Sequence, residues 1–189
     1  GLRFIDALFI FFFAVCVTGL TSVDTAADFT RFGQVVVMLL FQIGGLGLMT
    51  FTTFFAIFLS GGLGIKEKFI LREMMHEDNI GAIGKVLSSL IILTFFLEGV
   101  GATVLFFSIK DFYTGNIGEA VFSSIFHAIS AFCNAGFSIY PNNLMNPLIQ
   151  DNFVFTTTVS MLIIFGGLGF TAILGLPRYI KVNREPLFA

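Results

Sequence analysis

Two short segments of this 189-residue chain carry the same residues at the same spacing, Phe9-x4-Ala14-x-Cys16-x2-Gly19 and Phe126-x4-Ala131-x-Cys133-x2-Gly136. The loops that end them, Val17-Thr18-Gly19-Leu20 and Asn134-Ala135-Gly136-Phe137, hold no side chain suited to acid–base or nucleophilic work. What they offer is main chain. A cation leaving water needs its hydration shell replaced by several oxygens, and an extended backbone supplies carbonyls that do this. Glycine permits the dihedral angles that turn such carbonyls inward without a side-chain clash. A helix whose C-terminal end points at the loop adds partial negative charge, which favours cations. These eight residues are the candidate backbone ligands of an ion.

Other groups that could do chemistry are few. Glu98 lies mid-segment in Glu98-Gly99-Val100-Gly101-Ala102. A carboxyl at that depth is costly, so it reads as a proton or cation site, or as a structural carboxyl bonded to a neighbouring helix. Asp24 and Asp28 follow the first loop, where they would concentrate cations at an outer mouth or cap the helix before Gly33. Cys16 and Cys133 sit at matching positions behind the loops and read as small fillers rather than a disulfide. His76 and His127 have no second ligand at metal-binding spacing and read as structural. No activated Ser or Cys with a His partner, phosphate-binding glycine loop or nucleic-acid patch is present, so an enzyme is not expected.

The elements that position these residues belong in a membrane. The chain is 56% hydrophobic with 27 Phe and only 12% charged residues, against about 25% charged in a soluble domain. Three segments, Gly33–Ser60, Val86–Ile109 and Phe153–Leu176, are apolar over the roughly 20 residues a spanning helix needs. The runs Ala7–Val15 and Ala120–Phe132 are shorter and end in polar, glycine-containing sequence, which predicts helices that enter the membrane and return on one face. Each is followed by a segment carrying Gly-Gly-Leu-Gly, at 44–47 and 166–169. These glycines predict either hinges or close helix packing. A third copy at 61–64 predicts a helix stop. Lys66, Lys68, Arg72, Lys85, Arg178, Lys181 and Arg184 fall on one side of this arrangement, and Arg3, Arg31 and Lys110 on the other. The richer side should be cytoplasmic. Residues Ile65–Asp78 read as an amphipathic helix at the inner face, or as a solvated loop.

The residues Val15-Cys16-Val17-Thr18-Gly19-Leu20-Thr21-Ser22-Val23-Asp24-Thr25, then Gln42-Ile43-Gly44-Gly45-Leu46-Gly47, resemble the first pore unit of the Trk/Ktr/HKT potassium transporter family. Phe126-His127-Ala128-Ile129-Ser130-Ala131-Phe132-Cys133-Asn134-Ala135-Gly136-Phe137-Ser138 resembles the second. The likeness is to the pore-forming membrane subunit, of the TrkH/KtrB kind. It implies an all-α integral membrane fold of potassium-channel-like helix–pore loop–helix repeats, four to a subunit. On that pattern residues 1–60 are a truncated first repeat, 61–85 a cytoplasmic linker, 86–177 a complete second repeat and 178–189 a cytoplasmic tail. The chain then reads as a fragment without the last two repeats.

The resemblance further implies potassium uptake across the cell (plasma or inner) membrane through a carbonyl-lined selectivity filter. Gly19 and Gly136 match the one filter glycine that each repeat retains. Potassium is then the transported ion, with sodium as the alternative cargo; no covalent cofactor and no metal beyond the transported ion is implied. Sodium tolerance goes with serine at the filter glycine, and both glycines are intact here. The gating loop lies in the third repeat and has no counterpart in this chain. Implied partners are membrane lipid, the remaining two pore repeats, a second subunit in a homodimer, and a cytoplasmic nucleotide-binding regulatory ring of the TrkA/KtrA kind. The linker 65–85 and the tail from Arg178 are candidate contacts for that ring; nucleic acid is not expected. On the residues alone two other classes stay open: a proton-coupled secondary transporter using intramembrane Glu98, and a structural membrane segment with no pore of its own.

Overall fold

The computed structural model describes residues 4–20, 25–47, 80–113, 115–147 and 149–168, and among these every regular element is helical. In chain order they are α1 (Phe4–Val15), α2 (Arg31–Leu46), α3 (Ile80–Ile109), running into a 3-10 turn at Lys110–Phe112, α4 (Ile117–Phe132), a 3-10 turn at Asn143–Met145, and α5 (Phe153–Gly167). Short polar side chains start three of them. Thr30 accepts from the Gly33 N–H at 3.3 Å, Asn116 from Glu119 at 3.4 Å and Asn152 from Phe155 at 3.0 Å. Each satisfies a donor that the first helical turn leaves unpaired. The cap of α2 is therefore Thr30 and not an aspartate: Asp28 is exposed on the preceding loop, and Asp24 lies outside the described residues.

Helix lengths separate into two kinds. α1 has 12 residues and α4 has 16, or about 18 and 24 Å at about 1.5 Å per residue. Both fall short of a hydrocarbon layer of about 30 Å. Ser88–Phe112 is long and apolar enough to cross it, with a mean hydropathy of 2.2. α2 and α5 begin where the spans 33–60 and 153–176 were expected, but among the described residues each stops inside its glycine motif. α2 ends at Leu46, where Gly47 takes φ 79° and donates its N–H to the Gly44 carbonyl at 3.0 Å. α5 ends at Gly167. The rest of both spans, the third glycine motif, the expected amphipathic helix at 65–78 and the tail lie outside the described residues.

The glycines mark a packing surface. A methyl group placed on Gly44 would overlap the carbonyl oxygen of Val15, the last residue of α1. One placed on Gly166 would overlap the carbonyl of Phe132, the last residue of α4. The first glycine of each motif thus seats the C-terminal end of the short helix before it, as small residues do where helices must approach closely. α1 packs on α2, α3, α4 and α5 pack on one another, and α2 meets α4 across the join. At that join Phe41 is fully buried, edge-on to Phe126 with ring centroids 5.5 Å apart and stacked on Phe137 at 5.8 Å. α3 turns Ile92, Phe95, Phe96 and Phe107 outward, the pattern of a helix facing an apolar solvent.

Candidate functional site

The two loops leave their helices by the same hydrogen bonds. Cys16 N–H donates to Phe12 at 2.8 Å and Cys133 to Ile129 at 2.9 Å. Val17 donates to Ala14 at 3.2 Å and Asn134 to Ala131 at 3.0 Å; Thr18 donates to Phe13 at 3.1 Å and Ala135 to Ser130 at 2.8 Å. Every donor and acceptor of the first loop recurs at the corresponding position of the second. Dihedral angles follow suit. Val17 and Asn134 take φ of 54° and 57°, Gly19 and Gly136 take 71° and 70°. The residue between each pair keeps an ordinary negative φ. Asn tolerates the left-handed region, but a β-branched Val there costs about 1–2 kcal/mol. Strain of this kind persists only where the surroundings over-determine it.

The loops also meet. A Cβ built on Gly19 would stand 3.0 Å from the Ala135 oxygen and 3.5 Å from the Gly136 Cα; one on Gly136 would stand 3.2 Å from the Gly19 Cα. The two glycines face each other with backbone against backbone. At each of them the positive φ strains any side chain and the facing backbone leaves little room for one.

Side chains of α4 hold the second loop from behind. Ser130 Oγ donates to the Phe137 carbonyl at 2.6 Å. His127, buried, bonds the Ser123 carbonyl through Nδ1 at 2.7 Å and Ser138 Oγ through Nε2 at 2.9 Å. Ser123 Oγ donates to Tyr140 Oη at 2.7 Å, and the His127 and Tyr140 rings stack at 4.6 Å. Of the eight predicted backbone ligands, Phe137 is the one whose carbonyl accepts a hydrogen bond from a side chain among the described residues. The bond directs that oxygen at α4. In the first loop Thr18 Oγ1 donates to the Phe13 carbonyl at 3.2 Å, and Leu20 is exposed.

Glu98 is buried on α3 and bridges to α2. Gln42 Nε2 donates to both carboxylate oxygens, at 3.0 and 3.1 Å. Cys133 Sγ lies 3.9 Å from Glu98 Oε1 and 4.0 Å from Gln42 Oε1. Cys133 therefore sits against a polar pair and is more than an apolar filler. One turn before Glu98, Thr94 has a buried hydroxyl with no hydrogen-bond partner among the described residues. Both cysteines are free thiols, Cys16 exposed and Cys133 buried. Among the described residues no group of three His, Cys, Asp or Glu side chains could hold a metal. At the end of the join away from Gln42, Arg31 pairs with Glu119 and lies 4.0 Å over the Phe122 ring. The sequence assigns no role to Gln42, Ser130, Ser138 or Tyr140, although the first three lie within the motifs that carry the family resemblance.

Comparison with known proteins adds three relatives and a family. Residues 1–187 match the family model described as "TrkH: Cation transport protein". The chain is 41% identical over 172 residues to the Ktr system potassium uptake protein B of Bacillus subtilis (strain 168), covering 91% of this chain and 38% of that protein. It is 34% identical over 185 residues to the potassium/sodium uptake protein NtpJ of Enterococcus hirae, covering 98% and 40%. A Ktr system potassium uptake protein B from Vibrio alginolyticus is 34% identical over 173 residues, covering 92% and 37%. The chain spans about two fifths of the length of these relatives.

Proposed function

This chain belongs to the TrkH family of cation transport proteins, and from that premise we propose that it supplies two adjacent quarters of the ion filter of a potassium uptake protein in the cell membrane. The observation that carries the reading is the pair of matched loops, with left-handed residues at 17 and 19 and at 134 and 136, whose glycines lie opposite each other with too little space between for a Cβ. In an extended strand successive carbonyls point to opposite sides; alternating the sign of φ brings them to one side, where a dehydrated cation needs them. The C-terminal ends of α1 and α4 deliver their partial negative charge to the same place.

In this reading Val17, Thr18, Gly19, Leu20, Asn134, Ala135 and Gly136 offer carbonyls to the ion, and Phe137, committed to Ser130, marks the edge of the filter. α1 and α4 are pore helices of two helix–pore loop–helix repeats, and the ion crosses downhill. A cavity of about 170 Å³ between the second loop and α5, lined by Asn134, Gly136, Val159 and Ile163 among others, supports a further unit beside this one. Val159 and Ile163 precede Gly166 as Val37 and Phe41 precede Gly44, and those two are buried at the join of the first unit with the second. The homodimer and the cytoplasmic regulatory ring belong to the same proposal.

Sodium is the rival cargo, favoured by the name of the Enterococcus relative. The engagement of both Glu98 oxygens by Gln42 supports a structural carboxyl over a proton carrier. The test is Gly136→Ala in the intact transporter, with potassium and sodium uptake measured into cells lacking other potassium uptake. We expect potassium uptake, relative to sodium, to fall by about tenfold or more. An unchanged ratio in a folded variant sinks the filter reading.

A further inference from the structure

Three elements converge one residue ahead of the second loop. α2 brings Gln42 and Gly45, α3 brings Glu98, and Cys133 follows the last residue of α4. Cys133 is seated on the glycine of α2: a methyl group on Gly45 would overlap its Sγ and stand 2.6 Å from its Cβ. Its other side faces the Gln42–Glu98 pair, whose amide reaches both carboxylate oxygens. One peptide bond separates Cys133 from Asn134, the first left-handed residue of the loop. Any slide of α2 along α3 would move this seat, and the loop with it.

We infer that Gln42 and Glu98 brace the boundary between the two units and, through Cys133, fix the placement of Asn134–Gly136. Glu98 is then a positioning residue for ion selectivity. A hydrogen-bonded pair adds to the apolar packing around it, because the amide–carboxylate geometry is directional and fixes one register. Buried in an apolar membrane segment, neither partner has water to fall back on, so separating them leaves both unsatisfied. The inference rests on the filter reading given above.

The experiment compares Glu98→Ala, Gln42→Ala, Glu98→Gln and the exchanged pair Gln42→Glu/Glu98→Gln in the intact transporter. Half-saturating potassium concentration, maximal rate and the potassium-to-sodium ratio are measured, with melting temperature and monodispersity as controls. The alanine variants should raise the half-saturating concentration or lower the ratio by about tenfold, the size of effect that support groups behind a ligand shell have. Glu98→Gln, whose amide oxygen still accepts from Gln42, should stay within about threefold, and the exchanged pair should recover the parent ratio. If Glu98→Gln is as damaging as Glu98→Ala and the exchanged pair does not recover, the carboxylate itself is needed and the brace is overturned. It is equally overturned if folded alanine variants keep the parent values. Should the alanine variants fail to fold, Glu98→Gln and the exchanged pair decide alone, and a loss of about tenfold in both overturns the brace. Gly136→Ala run alongside separates the two readings: if it shifts selectivity and the brace variants do not, only the brace falls.

Discussion

At Ser130 a hydroxyl donates to the Phe137 carbonyl, and the matching position of the first loop is Phe13, which has nothing to donate. His127 likewise matches Ile10, so the first loop has no counterpart to the His127–Ser138 bond. The two loops share backbone geometry but differ in how side chains behind them hold it. Removing the hydroxyl with Ser130→Ala leaves a buried carbonyl unsatisfied, at a cost of about 1–3 kcal/mol. We expect a lower melting temperature of that order and a fall in potassium-to-sodium discrimination; a variant that melts and discriminates as the parent does would show the bond to be idle. These contacts were not legible in the sequence, although the loops were. The repeat of Phe, Ala, Cys and Gly is a local pattern and marks both loops. Ser130 to Phe137 or Gln42 to Glu98 depends on how the chain closes, and the motif that includes Gln42 does not say what its side chain meets.

Among the elements, α2 and α5 begin where the sequence predicts uninterrupted spans, and among the described residues α2 breaks within its glycine motif, at Gly47. Hydropathy registers apolar length, and glycine costs little on that scale, so a local break such as that at Gly47 does not show in it. The choice left open between hinge and close packing resolves toward packing for the described part, since Gly44 and Gly166 each receive a carbonyl from the preceding short helix. Those acceptors are backbone and cannot rotate away. Gly166→Ala should therefore cost at least about 1–3 kcal/mol through overpacking, read as lost yield or lowered melting temperature. Gly99→Ala, where an added methyl meets nothing within 4 Å among the described residues, is the control and should not destabilise. Equal behaviour of the two would remove the seat from the account.

Over the whole molecule, what joins the two units is mostly apolar. The Phe41, Phe126 and Phe137 contact lies at its centre, with Gln42–Glu98 toward one end and Arg31–Glu119 toward the other. The outer pair is 41% exposed on both sides, so it contributes about 0–1 kcal/mol. Glu119→Gln should move the melting temperature little and less still at high salt; a large loss would show that the outer end matters more than the aromatic centre. The backbone contact between Gly19 and Gly136 has a different consequence. In a filter made of these strands, the gap has a mechanical stop on one side only. Widening it requires parting neighbours, whereas narrowing it requires closing a space already too tight for a methyl group, and close-packed protein resists compression. On the filter reading, such an opening would resist contracting around an ion smaller than potassium. Discrimination against small ions would then come from the stiffness of two strands leaning on each other rather than from any group that repels them.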